Sequence, residues 1–352
     1  MGKGGLTVLA FLGSLACTSE APHLTAQAWP EANALFTRDS QWIGGDGAYS
    51  VDLGSGRVLW LFGDSYVATS AARRRDESVM VRNSVALQTG YDPTRAFMRF
   101  YFGYADGRPQ SFVPEDGRYW LWPGHGIRRG DHALLFYGRV YQASEGMWGF
   151  ASADWTAFVV ENPDDEPSSW QLHEAVVDPQ VGDVGLGGAV LALGDSLYVY
   201  GNGGDTHSIY LARFDAERAM AGNLTGAEWW NGSEYGPVAS REALLTLGAP
   251  EYSVHFAAPL GAYVFTQTEG FGASTLAIRT SPTPEGPWSD PRDLLRPPES
   301  YADEPFVYAG KAHPELAGAE LVVTYVPSAF EGGPPDPEEA LYYPRFLRAS
   351  YR

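Results

Sequence analysis

Residues 44–66 read GGDGAYSVDLGSGRVLWLFGDSY. Two runs rich in apolar, aromatic and β-branched residues flank the small-residue turn Gly54-Ser55-Gly56, so the stretch is predicted to form a β-hairpin. Each run carries an aspartate beside glycine at the end away from the turn, Asp46 in one and Asp64 in the other. If the turn centres on Ser55, these two aspartates stand directly opposite one another at the open end. Like charges in facing strand positions are destabilising, so the pairing calls for a reason other than folding.

The same plan recurs as GHGIRRGDHALLFYGRVY from residue 124, GGAVLALGDSLYVYGNGG from 187, YSVHFAAPLGAYVFTQTEG from 252 and AGKAHPELAGAELVVTYVPS from 309. Further strand-like runs lie between, among them NSVALQTG, SIYLARFD and STLAIRTS. A spacing of roughly 60–80 residues with about four strands per unit is the pattern of propeller blades. The sequence therefore predicts an all-β protein, a single-domain five-bladed β-propeller over residues 41–352. A β-sandwich competes, but the recurring hairpin disfavours it. Helical periodicity is almost absent, with a helical turn or two expected over Asp215–Ala221. In a propeller the first strand of a blade lines the channel and the second runs back, so Asp46 and Asp64 share one face. FGD at Phe62-Gly63-Asp64 is echoed by YGR at Tyr137-Gly138-Arg139 and YGN at Tyr200-Gly201-Asn202. Different polar groups at one rim position fit a ligand site better than a structural repeat.

Composition agrees with this reading. The 41 Gly, 25 Pro, 20 Tyr, 17 Phe and 11 Trp of 352 residues favour short strands and tight turns. A net charge of −19 argues against nucleic acid or anionic membrane surfaces as partners, which need basic patches. The chain opens MGKGGLTVLAFLGSLACTSEAP, with Lys3, an apolar stretch Leu6–Leu15 too short to span a bilayer, and the sole cysteine, Cys17. This resembles a bacterial lipoprotein signal in which Cys17 is lipidated, although Ser14 stands where such signals usually carry leucine. A plain cleaved secretory signal is the alternative, and both predict export to the cell envelope or beyond. Residues 1–17 are thus read as a signal segment and 18–40 as tether and lead-in. A monomer is expected, touching membrane only through the lipid anchor.

Several motifs carry a family resemblance: GGDGAYSVDL followed by GRVLWLFGDS, RNSVALQ, YWLWPGHGI, GPW and YAGKAHPEL. Together, from Trp42 to Tyr325, they resemble bacterial secreted proteins of the families called domain of unknown function 4185 and 5005. The resemblance implies a five-bladed propeller similar to the furanosidase clans that include glycoside hydrolase family 43. Members of the first family are assigned as endo-acting arabinanases on D-arabinan, so a glycoside hydrolase acting on an arabinan-like, furanose-containing polysaccharide is implied. Relatives usually carry an acidic residue where this chain has His125 in PGHG. That departure keeps a second reading in play, a non-catalytic surface propeller that binds glycan or protein.

Glycosidases generally use two carboxyl groups flanking the scissile bond, one protonated and one ionised. Asp46 is expected to be base or nucleophile, Glu251 in APEYSVHF the general acid, and Asp64 the group that tunes Asp46. Glu251 matches the Glu-x-Ser-Val motif of the resembled family. His125, Lys311 and His313 at the starts of blades two and five, Arg82 and Asn83 after the first hairpin, and Arg139 and Asn202 at the rim are candidates to bind sugar hydroxyls. Trp122 is the best candidate to stack on a sugar ring, whereas Trp42, Trp148 and His255 read as core. No GxSxG, HExxH or phosphate loop is present. No cofactor is implied, though a structural calcium ion held in the channel by Asp46 or Asp64 is compatible with the sequence.

Overall fold

The computed structural model describes residues 24–143, 149–179, 183–204, 207–270, 274–301, 305–316, 318, 320–329 and 341–351. Five antiparallel sheets of four or five strands are arranged as the blades of a propeller. Their inner strands are Trp42–Gly54, Trp120–Arg129, Val184–Leu193, Tyr252–Ala257 and Pro305–Ala312. Each inner strand packs beside the next, and the fifth returns to the first, closing the ring. Alternating large apolar side chains form separate clusters between successive blades. Tyr49, Leu61, Leu135 and Tyr137 join blades one and two, and Phe136, Trp155, Val199 and Phe214 join two and three. Tyr200, Tyr252 and Phe265 join blades three and four.

The expected tether at residues 18–40 is corrected from residue 24 onward. Leu24–Ala28 is the outermost strand of blade five, antiparallel to Arg345–Tyr351, with Leu24 opposite Tyr351 and Ala28 opposite Leu347. The helix Pro30–Thr37 follows, started by a proline whose missing N–H costs nothing in the first turn. It buries Ala32, Leu35 and Phe36. The Phe36 ring meets Trp60 edge-on at 5.1 Å and stacks on Phe346 at 5.1 Å, bolting the first blade to the last. The short helix expected near Asp215 is present as Ala216–Met220, with the Arg218 N–H donating to Asp215 Oδ1 at 2.8 Å. Trp42 is wholly buried, as its core reading requires. Trp148 and Cys17 lie outside the described residues.

The first hairpin turns at Ser55-Gly56 and keeps the expected register from Tyr49 opposite Leu61 to Asp52 opposite Val58. Nearer the mouth the ladder is irregular: Gly45 faces Ser65, but Gly47 faces Phe62. Asp46 is thus opposed by two residues, Gly63 and Asp64, and Ala48, with φ +55°, restores the register on its other side. The expected direct facing of Asp46 and Asp64 is therefore replaced by a bulge, which re-aims a side chain at a functional rim. Here it turns Asp46 toward blade five.

Candidate active site

Asp46 meets two hydroxyl donors. Tyr308 from the inner strand of blade five donates to its Oδ2 at 2.8 Å, and Tyr342 donates to the same oxygen at 3.0 Å. Oδ1 lies over Gly63, where a Cβ would come within 2.5 Å of it, so a side chain there would displace the carboxyl. Burial and the nearby charges of Asp64 and Glu251 push the Asp46 carboxyl from 3.8 up to about 8, outweighing the two hydroxyls that favour the anion. At neutral pH the group therefore holds its proton, while Oδ2 accepts both tyrosine bonds.

This shift has a consequence for stability. A carboxyl whose folded value lies above its unfolded one stabilises the fold in full below the unfolded value and loses that contribution as pH rises through about 8. Asp46→Asn should therefore raise the melting temperature relative to wild type more at pH 9 than at pH 5, read by thermal unfolding across that range. An equal difference at both pH values would count against a protonated Asp46.

The other two carboxyl groups have cationic or polar partners. Arg82 Nη1 lies 3.1 Å from Asp64 Oδ2, and the Trp122 indole N–H donates to Asp64 Oδ1 at 2.8 Å. Burial raises the Asp64 carboxyl, and Arg82 and Trp122 act against that rise. Glu251 Oε2 accepts from Lys311 Nζ at 2.7 Å. Lys311 is 1% exposed and its ammonium also donates to the carbonyls of Gly47 and Ala309, so its three N–H groups are all engaged. Its charge also sits 4.4 Å from the centre of the Tyr49 ring. Desolvation lowers the Lys311 pKa, and the Glu251 charge opposes that fall. Glu251 Oε1 has no protein partner among the described residues. One carboxyl is thus held neutral and another is paired with a buried cation, within reach of each other's field.

Several residues expected to contact ligand serve other purposes. Asn83 is buried, donating to the carbonyls of Val113 and Leu121 and accepting from the Val113 N–H, so it braces a loop. His125 accepts from the Val190 N–H at 3.0 Å through Nδ1, which places its proton on Nε2, 3.1 Å from the Ser50 carbonyl. It joins the inner strands of blades one, two and three. Burial lowers it to about 4, so it is neutral at pH 7. His313 is fully buried between Ser50 Oγ at 2.6 Å and Thr324 Oγ1 at 2.7 Å. Arg139 turns to Asp154 and Glu174 at the side of blade two rather than to the mouth. Asn202 donates to the Ala249 carbonyl at 2.7 Å and braces the approach to Glu251. His255 is buried, as a core residue.

Arg82, Trp122, Asp64, Asp46, Glu251 and Lys311 are the predicted residues that come together, Lys311 as an ion-pair partner rather than a ligand contact. Tyr308 and Tyr342 were not singled out from sequence. Tyr308 lies inside the YAGK motif, whereas Tyr342 belongs to no repeated pattern. Among the described residues no group of three or more His, Cys, Asp or Glu side chains is placed to hold a metal ion.

The fold has solved relatives. One is a protein of Bacteroides ovatus ATCC 8483, provisionally named a hydrolase, with 18% identity, a TM-score of 0.68, and coverage of 95% of this chain and 92% of the other. The α-L-arabinofuranosidase PaAbf62A of Podospora anserina, solved with cellotriose, shares 13% identity at a TM-score of 0.51, covering 94% and 96%. The catalytic domain of the Coprinopsis cinerea GH62 α-L-arabinofuranosidase shares 11% at 0.51, covering 94% and 97%. At these identities the likeness establishes the five-bladed propeller. No curated protein sequence matches. Residues 31–349 match the family described as Domain of unknown function (DUF5005), and the chain belongs to that family.

Proposed function

We propose that the protein is a glycoside hydrolase that cleaves a furanose-containing, arabinan-like polysaccharide at the channel mouth, with Asp46 as proton donor and Glu251 as base or nucleophile. The observation that carries this reading is the split among the clustered carboxyl groups: Asp46 neutral through burial, Glu251 paired with Lys311. Groups whose surroundings drive them to opposite protonation states are the acid and base of such reactions. The division reverses the roles expected from the sequence, because burial of Lys311 could not be read from residue types.

In the reaction, the Asp46 carboxyl proton passes to the glycosidic oxygen as its bond to the anomeric carbon breaks, and the leaving sugar departs as an alcohol. Glu251, held by the Lys311 ammonium at 2.7 Å, adds to the anomeric carbon or takes a proton from the water that does. Asp64, tied to Arg82 and Trp122, keeps negative charge beside Asp46 and raises its hold on the proton. The two similar folds named arabinofuranosidases support a glycoside as the substrate class. Purified protein incubated with a panel of arabinans, xylans and glucans should release reducing ends from a furanose-containing member. Tight binding without release from any member would make the protein a glycan-binding propeller instead.

The same reading includes export and a lipid anchor at Cys17. Stable attachment takes more than one acyl chain, all carried on that residue in a lipoprotein. Cys17→Ala should move the protein from the membrane to the soluble fraction on cell fractionation. Unchanged retention would exclude the anchor.

A further inference from the structure

Tyr342 has φ +62°, a left-handed conformation that costs a bulky residue energy and persists where the surroundings enforce it. Here they do so from several sides. The Tyr342 N–H donates to the Pro327 carbonyl at 2.8 Å, and the Tyr342 carbonyl accepts from the Gly45 N–H at 2.8 Å, one residue from Asp46. Arg75, 3% exposed and carried on the short 3-10 helix Arg75–Glu77, reaches into this junction. Its Nη2 donates to the Leu341 carbonyl at 2.7 Å and its Nε to the Ile43 carbonyl at 2.8 Å. The guanidinium also lies over the Tyr343 ring at 5.0 Å and the Tyr66 ring at 5.7 Å. Gly44 lets the two chains approach: a Cβ there would come within 2.7 Å of Arg75 Nη2 and of the Tyr342 carbonyl. A buried cation, a left-handed tyrosine and a tight glycine contact thus converge on one outcome, the Tyr342 hydroxyl on Asp46 Oδ2 at 3.0 Å.

We propose that Tyr342, locked in place by Arg75, is a positioning residue for Asp46: with Tyr308 it occupies Oδ2, directs the carboxyl proton onto Oδ1, and stabilises the carboxylate left when that proton is given up. The inference rests on Asp46 serving as the acid. Burial alone makes a carboxyl reluctant to release a proton, and two hydroxyl donors on one oxygen offset that reluctance without placing a second charge beside it. The arrangement also explains why the 341–343 segment is fastened to the strand that carries Asp46 rather than only to its own blade.

The test is a carbon-13 NMR titration of aspartate side-chain carboxyls in the whole chain, with Asp46 identified by its absence from Asp46→Asn. The wild-type midpoint is expected at about 8. Tyr342→Phe should raise it by roughly half a unit to one unit, since one hydrogen bond to the anion is lost. Tyr66→Phe, which keeps the ring beside Tyr342 and makes no bond to Asp46, should leave it unmoved. On a cleaved substrate, Tyr342→Phe should lower kcat by about 3–10-fold at unchanged KM. An unmoved midpoint in Tyr342→Phe would overturn the proposal even in a fully active enzyme. A raised midpoint in a protein that cleaves no polysaccharide would uphold the positioning while ending the glycosidase reading.

Discussion

Asp46→Asn is expected to lower kcat/KM on a cleavable oligosaccharide by about 10²–10⁴-fold, the range general acid catalysis supplies. The amide keeps an acceptor for Tyr308 and Tyr342 and nearly the same volume, so the mouth should retain its shape. Glycan affinity should accordingly change little, placing the loss in kcat rather than KM. Measuring both constants by reducing-end release, with binding followed calorimetrically, separates the two. Near-normal turnover in Asp46→Asn would remove Asp46 from the chemistry and leave the bulge and its two tyrosines as structure alone.

Lys311→Met is expected to harm both stability and activity. The lysine is buried, and removing one partner of a buried ion pair costs about 3–5 kcal/mol, chiefly through the charge left behind. Glu251 is 21% exposed and can recover some hydration, so the lower end of that range applies. The carbonyls of Gly47 and Ala309 lose their donor as well. Activity should fall too, because the Glu251 carboxyl loses the contact that holds it at the mouth. Lys311→Met/Glu251→Gln should be more stable than Lys311→Met, since the uncompensated charge is gone. Denaturant unfolding of the wild type, both single variants and the double variant gives the coupling. A double variant no more stable than Lys311→Met would mean that the pair contributes nothing through charge.

The blades were legible because a hairpin is local, and five copies of one local pattern reinforce each other. Register was legible from Tyr49 to Asp52 for the same reason. It failed at Asp46, where the pull comes from Tyr308 and Tyr342, remote in sequence and on another blade. Leu24–Ala28 escaped notice because its partner strand lies at the opposite end of the chain, and an Ala-rich pentapeptide has little strand character alone. At the site, residue type located the carboxyl groups but not their charge states. That of Asp46 depends on its own burial and on the charges of Asp64 and Glu251 beside it. His125 and His313 show the reverse error: polar residues near a channel looked free to bind ligand, yet each has both ring nitrogens engaged by the fold.

The division of labour between Asp46 and Glu251 is tested most directly by leaving-group dependence. A proton donor matters little when the leaving group is already a stable anion, whereas a base or nucleophile is needed for every substrate. Asp46→Asn should therefore lose about 10²–10⁴-fold on an oligosaccharide yet stay within roughly tenfold of wild type on a dinitrophenyl furanoside of the same sugar. Glu251→Gln should lose activity on both, with added azide restoring turnover of the dinitrophenyl substrate. The opposite pattern, in which Glu251→Gln keeps the activated substrate and azide rescues Asp46→Asn, would contradict the assignment and make Asp46 the base.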